Sequence, residues 1–75
     1  MKNPADIKKF GAHLRKLRDK ADLSQQQLAD MADIAKITIQ RIELAKFTVT
    51  LDVMISLAKA LEIPLEELLQ YKKLR

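Results

Sequence analysis

The chain has no cysteine and no tryptophan, and holds one histidine, one glycine and two prolines among its 75 residues. Without cysteine there can be no disulfide and no thiolate metal site. A single histidine leaves too few ligands for zinc. No metal and no cofactor are therefore expected. So little glycine and proline leaves little turn chemistry for hairpins. Aromatic residues are only 4% of the chain, while Leu, Ala and Ile abound, a balance that favours helix over sheet. No stretch approaches the roughly 18 apolar residues of a membrane span. The polar opening Met1-Lys2-Asn3-Pro4-Ala5-Asp6 lacks the apolar run of a signal peptide. A cytoplasmic, single-domain protein (residues 1–75) without a membrane partner is the expectation. Its core must come from packing alone, which a hydrophobic content of 48% makes feasible.

Charge is present, and unevenly placed. Fourteen Lys and Arg against ten Asp and Glu give +4. Residues 1–20 hold Lys2, Lys8, Lys9, Arg15, Lys16, Arg18 and Lys20 against Asp6 and Asp19. Residues 51–70 reverse the balance, with Lys59 against Asp52, Glu62, Glu66 and Glu67. A polyanionic partner for one side of the molecule fits this asymmetry. A merely solvated, charged helix face fits it as well.

Apolar spacing predicts helices throughout. Ile7, Phe10, Leu14, Leu17 and Ala21 step by 3, 4, 3 and 4, a helical stripe from Asp6 to about Lys20. Gly11 lies beside the stripe, where close packing of a neighbour explains it. His13 falls at the stripe's edge and is expected at the boundary or surface rather than in catalysis. In Leu23-Ser24-Gln25-Gln26-Gln27-Leu28, Ser24 can cap a helix and Gln27 can reach back to it. Leu23 and Leu28 form a hydrophobic staple. That helix should run from Gln25 to about Ala32, with Leu28, Ala29 and Ala32 inward. Asp33 marks the break, because Asp tolerates a positive φ better than most residues. Thr50 can cap a further helix carrying a stripe of Leu51, Met54, Leu57, Ala58 and Leu61. Met54 reads as core filler. Pro64 opens a last helix whose Glu66 and Glu67 complement its dipole rather than form an acid–base pair.

The segment Ala35-Lys36-Ile37-Thr38-Ile39-Gln40-Arg41-Ile42-Glu43 is ambiguous by pattern. Ile37 and Ile39 alternate as in a strand, while Ala35, Ile39 and Ile42 fall at i, i+4 and i+7 as in a helix. A lone strand among helices would leave its backbone groups unpaired, so a helix over about 35–44 is expected. Five helices result, an all-α fold. Two short helices joined by a three- or four-residue turn form a helix-turn-helix, here at about 25–44, whose second helix can enter the DNA major groove. Lys36, Ile37, Gln40 and Arg41 share its outer side. Arg and Lys can donate to guanine, Gln can pair with adenine, and Ile can pack on a thymine methyl. Ser24, Gln25 and Gln26 open the preceding helix, where amide and backbone N–H groups can hold a phosphate. Lys46 could add a further phosphate contact.

The runs "FGAHLRKLR", "LSQQQLADMADI", "TIQRIE" and "TLDVMISLAKALEIPLEELL" resemble, in this order and spacing, the phage-repressor (Cro/cI-type, or XRE) helix-turn-helix family. The resemblance spans about residues 10–69. It implies a five-helix lambda-repressor-like domain that binds operator DNA, usually as a dimer. It assigns Gln25 to a phosphate, the outer side of the third helix to base reading, and Arg18 and Glu43 to a structural ion pair. The chain departs from the family pattern at Asp33, where Gly is usual, and at Ala35, where Ser or Thr is usual. The lost hydroxyl cap costs on the order of 1 kcal/mol. The loop Leu44-Ala45-Lys46-Phe47-Thr48-Val49 lacks the family's Gly and Pro.

The function this implies is a sequence-specific regulator of transcription, a repressor in the first instance. It fits a phage repressor, an antitoxin or a restriction-system controller. The alternative is a protein-interaction module, antitoxin-like, that keeps the fold without strong DNA binding; Ile37, Leu44, Asp30 and Asp33 are its support. An enzyme is not expected, for there is no nucleophile–base pair, metal cluster or phosphate loop. Leu65, Leu68, Leu69, Tyr71 and Leu74 offer an apolar C-terminal surface for a homodimer, although Leu65 and Leu68 could equally close the monomer's own core.

Overall fold

The computed structural model describes residues 2–73, and among these it is helical without a strand. The elements are α1 (Pro4–Lys20), α2 (Gln25–Ala32), α3 (Lys36–Glu43), α4 (Leu51–Leu61) and α5 (Leu65–Leu68), followed by a 3-10 turn at Gln70–Lys73. Helix α1 starts ahead of its apolar stripe because Pro4, with φ already helical and no N–H to satisfy, suits the first position. Helix α2 starts where expected because its capping box closes in both directions, and it ends at left-handed Asp33. The Gln27 N–H donates to Ser24 Oγ at 3.0 Å, and the Ser24 N–H donates to Gln27 Oε1 at 2.8 Å. Thr50 Oγ1 caps α4 by accepting the Val53 N–H at 3.2 Å.

The core gathers one to three residues from every helix. Leu14, Leu28, Ile39, Ile42, Leu57 and Leu68 are fully enclosed, with Phe10, Ala29 and Ala58 beside them. Each large side chain so buried contributes about 1.5–3 kcal/mol. Helix α1 packs along α3 and under the closing 3-10 turn. Gly11 makes the α1–α3 approach possible. A Cβ there would overlap the Ile42 carbonyl oxygen and lie 3.3 Å from Glu43 Cα.

Four expectations are corrected by the packing. Ala35 does not face inward: it is the extended N-cap of α3 and is exposed, so the inward stripe begins at Ile39. Leu51 is 59% exposed, because the first turn of α4 overhangs the core; burial then rises through half-buried Met54 to enclosed Leu57. His13 is buried rather than at the surface. It lies three residues after Phe10 and four before Leu17, and α5 closes over it, so that Nε2 donates to the Glu67 carbonyl at 2.9 Å. Its Nδ1 is buried without a partner among the described residues. Leu68 belongs to the monomer's core, and Leu65 is half-buried against it. Tyr71 packs edge-on to Phe10, with centroids 6.1 Å apart, and its hydroxyl donates to Asp6 Oδ1 at 3.3 Å. Of the apolar C-terminal residues only Leu69 is exposed, while Leu74 lies outside the described residues.

Asp33 adopts the expected left-handed conformation, at φ 57°. Asp22, Ala45 and Glu62 do the same at φ 57–60°, so among the described residues four left-handed corners are turned without glycine.

Candidate nucleic-acid interface

The turn between α2 and α3 is short because Asp33 reverses the chain at once. Its N–H returns to the Asp30 carbonyl, and the Ile34 N–H to that of Ala29 at 3.0 Å. Ile34 then packs against the core, which sets α3 across α2. With Ile39 and Ile42 held inward, the opposite face of α3 is turned to solvent. Lys36, Ile37, Gln40 and Arg41 are all exposed on it, Ile37 to 48%. A cation at each end, with an amide and an aliphatic side chain between, can satisfy both polar base edges and thymine methyls. Lys46 is exposed just beyond α3, where its N–H closes the helix on the Arg41 carbonyl at 2.8 Å.

The start of α2 is partly committed to the protein itself. Ser24 serves as the cap, and the Gln26 amide donates to Asp30 Oδ1 at 2.8 Å along its own helix. Since the cap engages the Gln27 N–H, the backbone N–H groups of Gln25 and Gln26 have no intrahelical acceptor, and the helix dipole adds positive potential there. Half-buried Gln25 turns its amide to the end of α3, donating from Nε2 to Glu43 Oε1 at 3.1 Å.

That same carboxylate anchors α1. Arg18 Nε meets Glu43 Oε2 at 2.7 Å and Arg18 Nη2 meets Oε1 at 3.0 Å, a two-pronged pair whose side chains are only 10% and 6% exposed. The third guanidinium nitrogen, Nη1, donates to the Leu23 carbonyl at 2.8 Å and lies 3.3 Å from Asp19. The hydrogen bond to Glu43 raises the Arg18 pKa above its ordinary value, against the opposing effect of burial. The expected pair is therefore present, and it ties together α1, α3 and the chain entering α2. The Gln25–Glu43 bond escaped sequence reading, since eighteen residues separate the two and no periodicity links them. Among the described residues no group of three or more His, Cys, Asp or Glu could hold a metal ion, and no helix is long and apolar enough to cross a membrane.

Comparison with known proteins places this architecture. A helix-turn-helix family model matches residues 14–68. Comparison with curated proteins finds no match. Among solved structures, the chain is similar to the restriction-modification controller protein C.AhdI from Aeromonas hydrophila. The two are 38% identical, with a TM-score of 0.84, over 85% of this chain and 97% of that one. A family match over most of the chain, together with 38% identity to a solved controller protein, means that the protein belongs to the helix-turn-helix family of DNA-binding transcription regulators.

Proposed function

We propose that the protein is a homodimeric, cytoplasmic repressor that reads a two-fold symmetric operator with α3 in the major groove. The exposed row Lys36, Ile37, Gln40 and Arg41 beside the open start of α2 carries this reading. Ser24, Gln25, Gln26 and Lys46 hold the phosphates that flank the bases, and the protein acts by occupying its site rather than by catalysis. Its likeness to a restriction-modification controller makes control of such a system the first setting to test.

Base readers and phosphate holders should fail differently when truncated. Arg41→Ala or Gln40→Ala is expected to cost about 1–3 kcal/mol on the preferred site and much less on scrambled DNA. Lys46→Ala should weaken both duplexes alike and reduce the slope of log affinity against log salt by about one. Titration against selected and scrambled duplexes at several salt concentrations checks this. Equal losses on both duplexes for Arg41→Ala and Gln40→Ala would mean that α3 does not read bases. Binding without salt dependence, or none at all, would favour the protein-interaction module for which exposed Ile37 and Leu44 argue.

The dimer contact is assigned to a surface shifted from the one expected. Leu51 and Ile55 are exposed one turn apart on α4 and flank Met54. Met54 and exposed Leu69 line one open apolar hollow together with Ile7, Phe10 and Val49. Covering such a patch favours association. The molecule is 29 Å in its longest dimension, short enough for two copies to sit about 34 Å apart on one face of the duplex. Sedimentation should give twice the chain mass of 8.6 kDa, and Leu69→Glu should shift it to the single chain. One chain per operator without symmetric half-sites would count against the dimer.

A further inference from the structure

The Arg18–Glu43 pair has so far been described as a tie between helices, yet the Glu43 carboxylate also receives the Gln25 amide. We infer that Glu43, held in place by Arg18, is a positioning residue for DNA binding: it orients Gln25 towards the phosphate before any DNA arrives. The inference rests on the reading of Gln25 as a phosphate contact.

A glutamine amide nitrogen carries two hydrogens. One goes to Glu43 Oε1 at 3.1 Å, and the second stays free to donate to a phosphate oxygen. A free glutamine side chain would lose most of its rotamer freedom on meeting the backbone. Here much of that freedom is already given up in the unbound protein, so less is lost on binding. Electrostatics explain why Arg18 is part of the device. A bare carboxylate beside the DNA backbone would repel it. The two-pronged guanidinium, at 2.7 and 3.0 Å, cancels that charge and leaves the oxygen as an acceptor only. Three helices thus converge on one amide: α1 supplies the cation, α3 the acceptor and α2 the donor.

The test is a double-mutant cycle on operator affinity, with Glu43→Gln made in the native and the Gln25→Ala backgrounds. It is run at a temperature where circular dichroism shows all four proteins folded. Gln25→Ala should weaken binding roughly tenfold, the scale of one hydrogen bond to a charged group. Glu43→Gln should lose several-fold in the native background and nothing further once Gln25 is gone. Equal loss in both backgrounds would overturn the positioning role while leaving the Gln25 contact standing. Native-like binding by Gln25→Ala would remove the contact itself, and the inference with it. Nuclear spin relaxation of the Gln25 side-chain amide in the unbound native protein needs no variant. An ordered amide is expected, and a freely rotating one would overturn the proposal even if the variants fail to fold.

Discussion

Gly11→Ala is expected to destabilise the domain by about 3 kcal/mol, the upper part of the range for forcing a carbon into a filled site. Helix propensity alone argues for the opposite sign, since alanine in place of glycine within a helix should stabilise by about 0.8–1 kcal/mol. The clash decides, because its partner is the backbone carbonyl of Ile42, with Glu43 Cα 3.3 Å away on the same helix. A side chain could swing aside; a backbone carbonyl moves only if α3 moves. A domain of this length has a total stability of about 4–11 kcal/mol, so a large share would be lost. Urea denaturation measures it. DNA affinity should fall further than unfolding accounts for, because α3 carries the outward row. An unchanged or raised midpoint would mean that α1 and α3 are not held as closely as described.

Breaking the Arg18–Glu43 pair should have an effect of the same order or larger. Either Arg18→Met or Glu43→Leu leaves one charge nearly enclosed, and such a loss typically costs about 3–5 kcal/mol. Removing both together should cost about 2–3 kcal/mol less than the sum. The asymmetry follows from geometry. The guanidinium directs its nitrogens to Glu43, the Leu23 carbonyl and Asp19, so a lone arginine keeps some partners. A lone Glu43 keeps only the Gln25 amide, and Arg18→Met should therefore be the worse of the two. Additive losses in a urea double-mutant cycle would show that the pair does not hold the helices together.

How much of this was legible in the sequence depends on how local the cause is. The start of helix α2 was readable to the residue because it comes from side chains three positions apart, Ser24 and Gln27. The outward row of α3 followed from periodicity once a lone strand had been rejected. Ala35 and Leu51 were misplaced for one shared reason. A stripe continues past the point where the core ends, and residues at a first turn can match it without touching anything. His13 was misjudged because its burial comes from α5, more than fifty positions away. Its spacing from Phe10 and Leu17 was the available signal. The Arg18–Glu43 pair came from family resemblance, not from pattern, and the link onward to Gln25 is tertiary altogether. The base-reading and phosphate-holding roles rest on exposure and chemistry, which the titrations above address.

The four left-handed corners have a consequence for how this chain can change over generations. Asp22, Asp33, Ala45 and Glu62 each hold a conformation that costs an ordinary residue about 1–2 kcal/mol and glycine far less. Asp22, Asp33 and Glu62 make no side-chain hydrogen bond within the core, and all three are exposed. Replacement by glycine, with the largest gain at Glu62 because Asp already tolerates this conformation, offers a route to a sturdier domain that leaves the outward row of α3 untouched. The durability of the molecule and the text it reads can therefore drift independently. A lineage could lengthen or shorten the regulator's lifetime one corner at a time while its target stays the same.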